Sequence, residues 1–146
     1  MAVKAIPDGY HNVQPYLIAK GAGKLIDFMK EAFGATEKMR MGGPDGTIGH
    51  AEVQIGDSVV MLGDASDMFP ASAATLLVYV DDCDAVYKRA LVAGATSERE
   101  PEDQFYGDRS AGVKDALGNR WYIHTHIEDV SPEEMEKRAA AAMAQS

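Results

Sequence analysis

The chain repeats itself, and this constrains its fold more than any single motif does. "AFGATE" at 32–37 returns as "VAGATSE" at 92–98, and "IGDSVVML" at 55–62 is echoed by "LGNRWYIH" at 117–124. The repeat is roughly 55–60 residues long, longer than a solenoid unit, so two copies make a two-module domain. Each half reads strand, helix, three strands. In the first, "VQPYLIA" is extended and "GAGKLIDFMKEAFGA" is an amphipathic helix on Leu25, Phe28, Met29 and Phe33, stopped by Gly34. "ATEKMRM" is a short strand and "GGPDGTIG" a turn cluster. "HAEVQIG" and "SVVMLGD" then flank a Gly56–Asp57 hairpin. The second half runs "ATLLVYV", an acid-opened helix "DDCDAVYKRALVAGA" closed by Gly94, the short strand "TSEREPE", "RSAGVKD", the turn "ALGN" and "RWYIHTH". The pattern predicts an α+β fold of two βαβββ modules, at about 12–64 and 74–127. An N-terminal arm covers 1–11, and the tail at 128–146 forms a peripheral helix with Ser131 as N-cap, Pro132 at the first position and Glu134 closing a capping box.

Composition excludes several function classes. With 146 residues and 46% hydrophobic content, the chain can bury one domain's core. A net charge of -9 argues against nucleic acid as a partner. No apolar run reaches the length of a membrane span, and no apolar leader opens the chain. One cysteine, Cys83, rules out an intramolecular disulfide and fits a reducing cytoplasm. At a helix start its pKa is open to lowering by the helix dipole, but no base neighbours it, which argues against a nucleophile.

The segments "LIDFMKEAFGA", "GHAEVQIGDSVVML" and "DQFYGDRSAGVKDALGNRWYI" resemble the vicinal oxygen chelate superfamily of glyoxalases, bleomycin-resistance proteins and extradiol dioxygenases. "PYLIAKGAGKLIDF", "HAEVQIGDSVVMLGD" and "FYGDR" look most like its PhnB-like branch. The resemblance spans about 12–127 and implies that each module curls into half of an open barrel, often paired across a dimer. A homodimer is therefore expected. It also implies four metal-ligand positions on the first and last strands of the modules, which fall here on Gln14, Met61, Thr75 and Tyr122. Only Gln14 suits a divalent ion bound by oxygen and nitrogen. The expectation is no cofactor, with a divalent metal at a non-standard site, from His50, Glu52 and His124, as the alternative.

The remaining candidates come from strand alternation. His124 and His126 share a face, either as metal ligands or as a hydrogen-bonded strand pair. His50, Glu52 and Gln54 form a polar stripe opposite Ala51, Val53 and Ile55. That stripe either faces water or enters a cavity, where His50 and Glu52 would make an acid–base pair. In the second case Gln14 and Tyr122 are expected to line the same concave cavity. Tyr16, Met61, Tyr79, Phe105, Tyr106, Tyr122 and His124 are the candidate walls of a small-molecule pocket, and alternation sends Trp121 to the core instead. Arg109 either holds an anionic ligand or pairs with Asp103 or Asp108. Two functions follow: a metal-free small-molecule binder, or an enzyme of lyase, isomerase or dioxygenase type using His50 and Glu52 or an unorthodox metal.

Overall fold

The computed structural model describes residues 2–145 and contains two four-stranded sheets and three helices. The first module is β1 (Tyr16–Ala19), α1 (Ala22–Phe33), β2 (Thr36–Gly42), β3 (Ile48–Ile55) and β4 (Ser58–Asp64). The second is β5 (Thr75–Tyr79), α2 (Cys83–Val92), β6 (Thr96–Asp103), β7 (Asp108–Lys114) and β8 (Arg120–His126), and α3 (Pro132–Ala144) follows. The sheets have orders β1-β4-β3-β2 and β5-β8-β7-β6, so the first strand of each module lies parallel to its last. The doubled βαβββ plan expected from the repeat is the observed fold.

Local chemistry sets the boundaries. β1 begins at Tyr16, not at residue 13, because Pro15 has no N–H to give; its carbonyl instead accepts the Met61 N–H at 3.0 Å. Asp64, at the end of β4, caps α1 by accepting the Gly21 and Ala22 N–H groups at 3.1 and 2.7 Å, and its other oxygen takes the Ile48 N–H at 2.7 Å. One carboxylate thus ties the module's first helix to two strands. β6 is longer than expected, and its register slips between Arg99 and Glu102, across Pro101, as an edge strand with a missing donor allows.

One core serves both modules. Leu25, Ile26 and Met29 of α1 are fully buried with Val53 and Leu62 beneath them, and Phe33 packs 4.9 Å from the ring of Trp121 in the other sheet. Trp121 is a core residue, as alternation predicts, and its indole N–H is satisfied by Asp115 at 2.8 Å. Burying each such side chain contributes about 1.5–3 kcal/mol. Because the helices cover the inner face of each sheet, the opposite, concave faces carry the odd positions of β4 (Val59, Met61) and the even ones of β3, β7 and β8.

The tail helix buries no residue. Ser131 accepts the Glu134 N–H at 3.2 Å, but the Glu134 carboxylate turns to Arg138 at 3.1 Å and does not complete the reciprocal half of the capping box. Arg138 wins because it also holds Glu128 and the Phe105 carbonyl, docking the helix on the loop before β7.

Candidate functional site

Each concave face carries a buried carboxylate among aromatic rings and histidines. On the first sheet Glu52 is 6% exposed. Tyr10, from the N-terminal arm, donates its hydroxyl to Glu52 Oε1, and His50 Nε2 lies 2.9 Å from Oε2. The Tyr10 and His50 hydrogen bonds hold the Glu52 carboxyl below its usual range against the effect of burial. An ionised carboxylate only accepts, so His50 donates from Nε2, and its Nδ1 accepts the Tyr16 hydroxyl at 3.1 Å. Each nitrogen of His50 and each oxygen of Glu52 therefore has a partner. Met39, Glu52, Met61 and Tyr16 lie in register across the four strands, with Met41 beside His50.

The second face is built around Asp108, which is 3% exposed. Its Oδ2 takes His124 Nδ1 at 2.9 Å and the Tyr79 hydroxyl at 2.7 Å, and its Oδ1 takes His126 Nδ1 at 2.8 Å. Burial works to raise the Asp108 pKa, and the bonds from His124, His126 and Tyr79 outweigh it, leaving the carboxyl below its ordinary range. The His124–His126 pair is thus a hydrogen-bonded strand pair sharing one carboxylate. His126 Nε2 also reaches Asp129 at 2.7 Å, and the Asp108 and Asp129 bonds raise its pKa. Two acceptors on two nitrogens favour the protonated form of His126. His124 differs: its Nε2 has no partner among the described residues and is not sealed from solvent. Tyr106 stacks on the His124 ring at 6.3 Å and Tyr79 meets it edge-on at 5.7 Å. Phe105 in turn packs edge-on against Tyr106.

Several expected residues sit elsewhere. Gln14 precedes β1 and its side-chain oxygen accepts the His11 N–H at 2.6 Å; it borders a cleft of about 820 Å³ between the β3–β4 hairpin and β5. Gln14, His50, Glu52 and Tyr122 do not meet in one cavity within the chain, because Tyr122 belongs to the second sheet, where its ring lies against Gly112 and under Arg99. Arg109 points to the helix side of β7, the face opposite His124, where it pairs with Asp84 at 2.8 Å and with Asp103 at 2.9 Å, and not with Asp108. The Cys83 thiol is raised to about 11 by burial, so the dipole does not activate it; it donates to the Ile123 carbonyl.

Three partners were not singled out from sequence: Tyr10, Asp108 as the centre of the histidine pair, and Arg99. The register could have found Asp108. Counting back from the "ALGN" turn pairs Ser110 with His124 and Asp108 with His126. Nothing local marked Tyr10, whose contact spans 42 positions.

The family metal does not fit these residues. Met61 offers a thioether, Tyr122 a phenol, Thr75 is exposed, and the amide oxygen of Gln14 is engaged. Among the described residues, no three His, Cys, Asp or Glu side chains converge in a metal-holding group.

Comparison with known proteins decides the family. The model of the Glyoxalase/Bleomycin resistance protein/Dioxygenase superfamily matches residues 11–123. The chain belongs to that superfamily. It is 36% identical over 135 residues to the uncharacterized protein Mb0911c of Mycobacterium bovis, covering 85% of this chain and 89% of that one. TioX from Micromonospora sp. ML1 shares the fold at a TM-score of 0.66 and 24% identity, over 80% of this chain and all of that one. The fosfomycin resistance protein FosX of Listeria monocytogenes does so at 0.65 and 15%, over 86% and 97%. No helix among the described residues of this superfamily member is long and apolar enough to cross a membrane.

Proposed function

We propose that this superfamily member, of the PhnB-like branch, is a cytoplasmic small-molecule-binding protein. It works without the family metal and as a homodimer. The observation that carries the reading is the character of the concave faces. Tyr16, Met41, Leu77 and Tyr79 are 49%, 57%, 52% and 61% exposed around buried, hydrogen-bonded polar groups. A pocket needs apolar walls with a few aimed polar groups, and these faces supply both once something closes over them. A second copy is the natural cover, because β1 and β5 also lie at sheet edges. The alternative acid–base chemistry at His50 and Glu52 has less support, since Tyr10 and Tyr16 already occupy that network.

Sedimentation at micromolar concentration tests the dimer, and a mass equal to the 15.7 kDa chain alone would reject it. Metal analysis of tag-free protein tests the absent metal, with stoichiometric zinc, nickel, manganese or iron as the contrary result. A thermal-shift screen of aromatic and anionic small molecules tests binding, and a screen with no stabilising compound would reject the binder.

A further inference from the structure

The second concave face holds two groups that the network around Asp108 leaves unspent. One is His124 Nε2. Because the ionised Asp108 accepts from Nδ1, Nε2 is the ring nitrogen left facing outward. The other is the Arg99 guanidinium, which makes no ion pair among the described residues. It donates to Ser110 Oγ at 2.7 Å, with its Cζ 5.6 Å from the Tyr122 ring centroid. Ser110 is directly opposite His124 in the β7–β8 register, and Tyr122 precedes His124 by two on the same face. Directly opposed residues have side chains that start only about 5 Å apart. A cation and an oriented base therefore flank one fully buried serine, walled by Tyr79, Tyr106 and Tyr122.

We propose that this face binds a small carboxylate with an acidic C–H beside a carbonyl, with Arg99 receiving the carboxylate and His124 Nε2 taking the proton. The inference rests on the small-molecule reading above and names its substrate class and site. Planar, bidentate recognition of a carboxylate is what a free guanidinium does best. In the step, the C–H bond breaks and its proton moves to Nε2. Its electron pair forms the enolate C=C, and the carbonyl π pair moves to oxygen. Return of a proton from Nε2 reverses the changes, so no oxidant or metal is required. The charge of Arg99 opposes the negative charge that develops. Asp108 is a positioning residue, holding the tautomer and ring orientation. The titratable and charged groups that face His124 are Asp108, Tyr79, Tyr106, His126 beyond Asp108, and Arg99 across Ser110.

The test uses the full chain with two probes: pyruvate, a carboxylate with acidic hydrogens beside a carbonyl, and propionate, which lacks the carbonyl. Proton–carbon NMR of the imidazole rings follows His124 through each titration, or His126 in the His124→Gln protein, and deuterium uptake into the pyruvate methyl group from D2O is measured against a protein-free control. Both probes should shift the His124 signals saturably. Arg99→Gln, at an exposed position, should weaken both by about tenfold or more. His124→Gln should keep propionate affinity within about threefold and cut deuterium uptake by about a hundredfold. Asp108→Asn should displace the pH profile of uptake, which a merely structural role would not move. Unshifted His124 signals at millimolar probe, or unchanged affinity in Arg99→Gln, would overturn the site, and binding without deuterium uptake would overturn the base. Should another compound from the thermal-shift screen bind while both variants leave it unaffected, this inference fails and the binder reading stands.

Discussion

The two modules are built alike on the inside and differently on the outside. Ala51 and Val53 of β3 correspond to Ala111 and Val113 of β7, all fully buried against the helices. On the concave face the correspondence ends. Where the first sheet has His50 and Glu52, the second has Ser110 and Gly112, and its carboxylate lies one strand step away at Asp108. The first network is closed by two tyrosines, one of them from the N-terminal arm, and has no spare nitrogen. The second is closed by two histidines and a tyrosine and keeps one nitrogen free. A shared core preserves the repeat because close packing tolerates little change in volume. The open faces carry no such constraint, so the polar networks of a doubled module can diverge while its core stays alike.

The largest effect should come from Gly107→Ala, next to Asp108. Gly107 has φ +99°, and an added methyl group would overlap the Glu128 carbonyl. We expect a loss of about 3 kcal/mol or more in chemical denaturation, with the second module affected first. Asp108→Asn follows, at about 2–3 kcal/mol, since it removes a buried charge on which three donors converge. Glu52→Gln should cost only about 1 kcal/mol, because the amide keeps an acceptor for Tyr10 or His50. A larger loss for Glu52→Gln than for Asp108→Asn would reverse the comparison.

A pH series separates the modules further. Asp108 and Glu52 have lowered folded-state pKa values, so both networks stabilise above the ordinary carboxylate range and weaken as pH falls through the folded values. His126 is raised, so its contribution is complete below the ordinary histidine value and disappears as pH rises through the folded one. In the first network, Tyr10 is raised by its bond to Glu52 and stays protonated through this range. Between about pH 6 and pH 8, amide exchange corrected for its intrinsic rate should quicken in β7–β8 and not in β3–β4. Equal responses in the two hairpins would count against the imidazolium at His126.

The smallest effect should be that of Tyr10→Phe, about 1 kcal/mol or less, because His50 still holds the Glu52 carboxylate once the hydroxyl is gone. Its interest lies in access. With the clasp opened, Glu52 should become reactive toward carbodiimide, and protection equal to that of the unaltered protein would mean the arm does not guard it.

The doubling, the elements and the two-faced strands were legible from the sequence, because repeats, hydrophobic period and turn residues are local properties. "HAEVQIG" assigned Ala51 and Val53 to the core and His50 and Glu52 to the other face, and Trp121 was placed in the core by the same alternation. What tertiary structure alone decided is which polar groups satisfy each other. Alternation says that His124 and His126 share a face, but not that Asp108 stands between them. It places Glu52 on the concave side, but not that Tyr10 arrives from 42 positions away to cover it. It leaves Arg109 with a choice of carboxylates, and the fold gave it Asp103 together with Asp84, on a helix 25 positions earlier. Secondary structure depends on neighbours along the chain, whereas a buried carboxylate takes whichever donors the packed sheets and loops bring within about 3 Å, and that pairing exists only once the chain has folded.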